Sequence, residues 1–251
     1  MNSWLVTFKS VTNPAFRLFC LHYAGGSAHI FRTWRESLPA RVELAAIELP
    51  GHGTRLGEPL IGDLSAMVGG AAQALVPLLD RPFAFFGHSM GALLAFELTH
   101  MLRRFSMPLP SHLFRAAHRA PQLERTQEPL HVFPEAEFRQ RVKSLNGTPS
   151  EVFANQELLE LFMPILRNDM QVCETYQYRQ RLPLNCGITV YGGRDDRDVD
   201  AASLQAWCEQ TFGPSELRLL DGDHFFINGQ REQFLKIFSR DLETVLAGQG
   251  V

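Results

Sequence analysis

Hydrophobic and polar positions along the chain alternate between two rhythms. Short runs with little polar interruption read as six strands: "RLFCLHY" (17–23), "VELAAIEL" (42–49), "FAFFGH" (83–88), "HLFRAAH" (112–118), "GITVYGG" (187–193) and "SELRLLDG" (215–222). Longer segments with helical spacing lie between them, over 63–79, 90–105, 200–210 and 230–247. In the second, Leu94, Leu98, Met101, Leu102 and Phe105 form one apolar stripe, which predicts a helix pressed against a core. Strands that are apolar almost throughout, alternating with helices, predict an α/β fold with a mostly parallel central sheet flanked by helices on both faces.

From about 121 to 183 the rhythm changes. Prolines at 121, 129, 134 and 149 punctuate two helical patterns, "AEFRQRVKSL" and "NQELLELFMPILRNDMQVCETYQYRQRL", with no clear strand. A helical insertion of this length between two sheet strands reads as a lid over the strand ends. Leu158, Leu159, Leu161, Phe162, Ile165 and Leu166 give it more apolar surface than a lone exposed helix carries. Most of that surface is expected to pack on the main body, and part to line a pocket for an apolar substrate.

Composition narrows the function classes. At 251 residues the chain has the size of a single α/β domain, 1–251 with the lid included. Hydrophobic residues at 45%, charged residues at 20% and a formal net charge of −3 speak against disorder, a polybasic nucleic-acid surface and an acidic tail. The start "MNSWLVTFKSVTNPAF" lacks the basic and apolar regions of a signal peptide, and no run reaches the length of a membrane span; a cytoplasmic protein is expected. Cys20, Cys173, Cys186 and Cys208 have no CxxC or His-cluster spacing and read as free thiols.

The chemistry enters at "GHSMG" (87–91), which fits G-x-S-x-G between an apolar strand and a helix. There a serine sits on a turn so tight that residues two before and two after it must be glycine, here Gly87 and Gly91. A serine hydroxyl is a weak nucleophile, so Ser89 needs a histidine base and an acid to orient that histidine. The expected chain order is Ser, acid, His, with acid and base on loops after strands. Of nine histidines, His224 in "LLDGDHFFI" follows the last strand. His22, His29, His52, His88, His100, His112 and His118 come too early or lie within elements, and His131 falls in the lid. His88, next to Ser89, is expected to pack the elbow. Directly after a strand, "VYGGRDDRDVD" offers Asp195, Asp196, Asp198 and Asp200; Asp196 is favoured, with Asp195 and Asp198 as rivals. Asp221 and Asp223 read as turn residues. Acyl chemistry also needs two backbone N–H donors for the oxyanion. Met90 follows the nucleophile, and Ala24 in "HYAGGSA" (22–28) is the candidate second donor.

With these residues assembled, the chain resembles the type II thioesterases of the α/β-hydrolase fold, stand-alone enzymes that accompany nonribosomal peptide and polyketide synthases. The resemblance runs through "LFCLHYAGGSAHIFRTW", "ELPGHGTRLGEP", "PFAFFGHSMGALLAFEL", "HRAPQ", "LNGTPSEV", "YGGRDDRDV" and "GDHFF", in order over essentially the whole chain. It implies Ser89 as nucleophile, His224 as base and Asp196, three residues after the glycine pair, as acid. It further implies hydrolysis of acyl groups from the phosphopantetheine arm of acyl or peptidyl carrier protein domains, by a monomer with no metal or organic cofactor. Two positions depart from the family pattern: His22-Tyr23 replaces Pro-His or Pro-Tyr before Ala-Gly-Gly, and His52 replaces the arginine of "PGRG", a change expected to alter a local contact only. A chain-releasing thioesterase that sets fatty acyl length, and a synthase-docking subunit without catalysis, are the alternative readings.

Overall fold

The computed structural model describes residues 3–250 except Asn146 and Pro149, so those two positions of the "LNGTPSEV" match lie outside the described residues. Seven strands form one sheet: β1 (Leu5–Lys9), β2 (Phe16–Leu21), β3 (Val42–Ile47), β4 (Phe83–His88), β5 (His112–Ala116), β6 (Gly187–Gly193) and β7 (Ser215–Leu220), in the order β1-β3-β2-β4-β5-β6-β7. Only β1 is antiparallel to its neighbour; every other pairing is parallel. This is the α/β-hydrolase architecture.

The six expected strands are present, shortened by a residue or more at several ends. The seventh, β1, was not anticipated. It is a half-buried edge strand with a register shift between Thr7 and Lys9, so its side chains show neither a continuous apolar run nor strict alternation. By contrast β2, β4 and β6 are buried at every position, which explains their unbroken apolar runs.

Alternate residues of the strands enter two cores. Phe19 and Leu21 of β2 join Met67, Leu94, Phe96 and Trp207 on one face. Leu18 and Cys20 join Phe31, Trp34, Phe234 and Phe238 on the other. The first face is covered by α1 (Leu64–Leu75) and α2 (Met90–Arg104). Asp63 caps α1 by accepting from the Ala66 N–H at 2.7 Å. Phe105 does not belong to the buried stripe: α2 ends at Arg104, and Phe105 is 64% exposed with the Arg104 guanidinium over its ring.

The insertion between β5 and β6 contains α3 (Glu135–Ser144), α4 (Ser150–Ala154) and α5 (Gln156–Glu174). It has its own small core of Phe138, Val142, Leu159, Met163 and Leu166. Leu158 and Leu161 of the expected apolar surface face outward, at 44% and 48% exposure. The chain then passes through α6 (Ala201–Gln205), α7 (Phe226–Gly229) and α8 (Arg231–Gly248), whose Phe234, Phe238 and Leu242 close the second core. Among the described residues no helix is long and apolar enough to cross a membrane.

Candidate active site

The strand order reverses at β2, which lies between β3 and β4, and open α/β sheets place their ligand crevice at the carboxyl ends of the strands at such a point. Leu21 pairs with Gly87 across β2 and β4, so the His22–Gly26 loop and the Ser89 turn leave the sheet side by side. Asp196 and His224 leave the carboxyl ends of β6 and β7.

Ser89 has φ 51° and ψ −116°, a strained conformation for a side-chain-bearing residue, fixed by its N–H donating to Ala116 O at 2.8 Å. The turn demands the two glycines. A Cβ on Gly87 would lie 2.2 Å from Gly91 O, and one on Gly91 would lie 2.1 Å from Leu21 O.

The structure brings the predicted trio together. His224 Nδ1 donates to Asp196 Oδ2 at 2.8 Å, and Ser89 Oγ donates to His224 Nε2 at 3.0 Å. The proton positions follow from the partners: a carboxylate only accepts, so Nδ1 carries the hydrogen and Nε2 presents its lone pair to the serine. The second oxygen of Asp196 accepts from the N–H groups of Asp198 (2.9 Å) and Val199 (3.1 Å). Its side chain is fully buried, while Asp195 and Asp198 are exposed. Between the three aspartates, the contact to the ring selects Asp196. Asp198, Asp196 and His224 offer ligand atoms within 4.8 Å of one another, a spacing a metal ion would accept, although both ring nitrogens of His224 are already hydrogen-bonded.

The flanking residues fall as expected. Asp223 closes a turn, its Oδ1 accepting from the Phe225 N–H, and Asp221 is exposed beside Arg194. His88 is fully buried and packs by its ring against Tyr23, His224 and Phe225. Burial holds His88 well below the usual histidine range, so it stays neutral behind the catalytic ring.

In the loop after β2, the Gly25 N–H donates to Asp169 Oδ2 at 2.7 Å and the Gly26 N–H to Tyr23 O at 2.9 Å. Tyr23 and Ala24 of this loop line the same cavity as Ser89, and Ala24 keeps its place as the candidate second donor. Met90 occupies the first turn of α2, where backbone N–H groups have no intrahelical acceptor.

Ser89 and His224 open on a cavity of about 490 Å³. Its far walls include Leu130, Val142, Leu166, Met170 and Cys173 from the insertion, with Arg119 and Gln122 after β5. Apolar side chains of the insertion share the lining with polar and charged groups such as Gln122, Arg125 and Glu174, a mixture that suits an acyl chain on a polar tether.

Sequence reasoning missed one part of the site. His52 does more than alter a local contact. Its Nε2 lies 2.9 Å from Asp169 Oδ2, a fully buried carboxylate 117 residues away on α5. One signal was available: Leu159, Met163, Leu166, Asp169 and Val172 share one buried stripe, in which Asp169 is the single charge.

A strained serine with hydrogen-bonded histidine and carboxylate at the strand ends of this fold defines a serine hydrolase architecture. The thioesterase domain family model matches residues 16–242, and the chain belongs to that family; it is a thioester hydrolase. Its relatives include proteins of gramicidin biosynthesis, a type II thioesterase from a biosynthetic cluster and medium-chain S-acyl fatty acid synthase thioesterases. The gramicidin S biosynthesis protein GrsT of Aneurinibacillus migulanus is 38% identical over 98% of this chain and 96% of its own length. The protein named linear gramicidin dehydrogenase LgrE, of Brevibacillus parabrevis, is 43% identical over 98% and 94%. The structure of BorB, the type II thioesterase from the borrelidin biosynthetic cluster, superposes with a TM-score of 0.85 at 32% identity, covering 94% of this chain and 96% of that one.

Proposed function

We propose that the protein hydrolyses acyl thioesters carried on the phosphopantetheine arm of acyl or peptidyl carrier domains, clearing aberrant or mis-primed groups from a nonribosomal peptide or polyketide synthase. The observation that carries this reading is the hydrogen-bonded chain Asp196–His224–Ser89 opening on the cavity that the insertion helps to wall. In acylation, Ser89 Oγ attacks the thioester carbon while His224 Nε2 takes the hydroxyl proton; Asp196 stabilises the imidazolium. The backbone N–H groups of Ala24 and Met90 receive the oxyanion. Collapse of the tetrahedral intermediate breaks the C–S bond, and His224 gives its proton to the departing sulfur. Water then repeats the sequence on the acyl-serine, releasing the carboxylic acid and restoring the Ser89 hydroxyl.

On this reading no metal or organic cofactor takes part, because the nucleophile, base and oxyanion donors all belong to the chain and the pantetheine arrives with the substrate. The working form is a cytoplasmic monomer, and its partners are the carrier domains. The test is intact-mass measurement of a carrier protein loaded with an acetyl or propionyl group. The wild type is expected to remove the group and Ser89→Ala to leave it, and full activity in Ser89→Ala would overturn the assignment. A catalytically silent docking subunit would have no use for a serine, a histidine and an acid within hydrogen-bonding distance.

A further inference from the structure

The loop that holds Ala24 is tied to the insertion by a buried charge pair that the mechanism above does not use. Asp169 of α5 is completely buried, and one of its oxygens, Oδ2, accepts from both the Gly25 N–H (2.7 Å) and His52 Nε2 (2.9 Å). The other ring nitrogen of His52, Nδ1, faces Pro50 O at 3.0 Å. A carboxylate and a carbonyl oxygen can only accept, so both ring nitrogens must carry hydrogen for both contacts to hold. His52, itself 1% exposed, is therefore placed as an imidazolium, the counter-charge to Asp169. Around the loop, α5 packs closely. A Cβ on Gly25 would lie 2.9 Å from Phe162 Cζ and 3.1 Å from Leu166 Cδ1, and Ala24 touches both the main core and the core of the insertion.

We propose that Asp169 is a positioning residue for the oxyanion loop, holding Ala24 in place through the Gly25 N–H with protonated His52 as counter-charge, so that turnover falls as rising pH removes that proton. This rests on the thioesterase reading and on Ala24 as a donor. When His52 is neutral, one of its two nitrogens turns a lone pair toward an oxygen, and Asp169 is left as a buried charge with a weakened partner. The other ionisable groups packed around His52 do not replace it. His22, with its ring 5.1 Å away, is held neutral with a pKa lowered to about 4, first by burial and then by the charge of His52. The Glu48 carboxylate is engaged with the N–H groups of Ala28 and Thr54, and Arg55 is turned toward Glu48 O and Glu58. Burial works against charge on His52, but the hydrogen bond and charge of Asp169, with the Pro50 carbonyl, leave its pKa raised. A raised histidine pKa means the interaction is complete below the ordinary histidine range and is lost as pH rises through the higher folded-state value.

The test measures kcat and KM against pH for acyl-carrier hydrolysis and, in parallel, for p-nitrophenyl acetate, with Ser89→Ala as the blank for both. Asp169→Leu, which has a similar shape but no acceptor for the Gly25 N–H, is expected to lower kcat by about a hundredfold, the scale of losing one oxyanion donor, with KM changed by less than about threefold. Wild type is expected to lose kcat on the alkaline side, while His52→Arg, a cation that does not titrate there, flattens that limb and His52→Gln lowers kcat at every pH. Melting temperatures of all variants separate unfolding from misplacement, and the His52 pair decides the matter if Asp169→Leu does not fold. The same alkaline limb in His52→Arg and wild type, or Asp169→Leu within about threefold of wild type in kcat, would overturn the proposal. Serine-dependent turnover of the ester without turnover of the carrier would count against the carrier reading alone, and the ester profiles would then decide the role of Asp169.

Discussion

Replacing Asp196 by asparagine tests the polar chain at its deepest point with almost no change of shape. In the wild type one carboxylate oxygen accepts from the N–H groups of Asp198 and Val199 and the other accepts from His224 Nδ1. In Asp196→Asn the amide oxygen would keep the two backbone contacts, because N–H groups cannot face the amide NH2. That orientation fixes the NH2 toward His224 Nδ1, which must then accept, and the ring changes tautomer so that Nε2 carries the hydrogen toward Ser89 Oγ. The serine loses its base and the imidazolium loses its counter-charge. A wrong-tautomer triad costs about 10⁴ in kcat, roughly 5 kcal/mol of transition-state stabilisation. KM is expected to stay near the wild-type value, since Asp196 is buried behind the ring and away from the acyl cavity. The assay is steady-state release of free thiol from an acylated carrier, with Asp195→Asn and Asp198→Asn as controls that alter only exposed carboxylates. A folded Asp196→Asn enzyme within about tenfold of wild type, or an Asp198→Asn enzyme as damaged as Asp196→Asn, would refute the assignment of the acid.

Three further outcomes follow from other parts of the structure. Gly91→Ala drives a Cβ to 2.1 Å from Leu21 O on a strand paired on both sides, so urea unfolding should show a loss of about 3 kcal/mol or no folded protein, and wild-type stability would contradict the close approach. His112 is mostly buried against Thr189 with its pKa lowered to about 4 by burial. Its contribution is therefore complete above the unfolded-state histidine value and declines as pH falls toward 4, amounting to about 2 kcal/mol between pH 7 and pH 5. Urea unfolding at the two pH values should show that decline reduced in His112→Gln. Met170→Trp fills part of the cavity wall, so kcat/KM for an octanoyl carrier should drop about tenfold relative to an acetyl carrier, and an unchanged ratio would place the acyl chain elsewhere.

How far the sequence foretold these features depended on how local their causes are. Gly87, Ser89 and Gly91 could be read directly because the turn restricts side chains within five consecutive residues, and His224 because it follows the last strand. β6 was placed residue for residue, since a strand covered on both faces must be apolar throughout. β1 escaped notice because an edge strand meets protein on few sides and its composition is set by less. Phe105 was misplaced for a related reason: helical spacing continues past Arg104, while the backbone does not. Choosing Asp196 over its neighbours depended on which carboxylate turns inward after β6, a matter of loop geometry that spacing does not encode.

Asp169 and His52 are the opposite case, a contact between residues 117 apart whose partners each look ordinary in their own segments. An acid in an otherwise apolar helical stripe announces that a partner exists, yet only the fold shows that the partner is His52 and that Gly25 shares it. This division has a mechanical consequence for the site. Ser89, Asp196 and His224 are held at the ends of β4, β6 and β7 of one sheet, whereas the Ala24 loop, leaving β2, is also pinned by α5. Displacing the insertion would thus leave the serine and its base aligned and disturb the oxyanion side alone. On the proposed mechanism the serine, its base and the Met90 donor are in this way anchored to the sheet and α2, while the Ala24 donor depends in addition on the insertion.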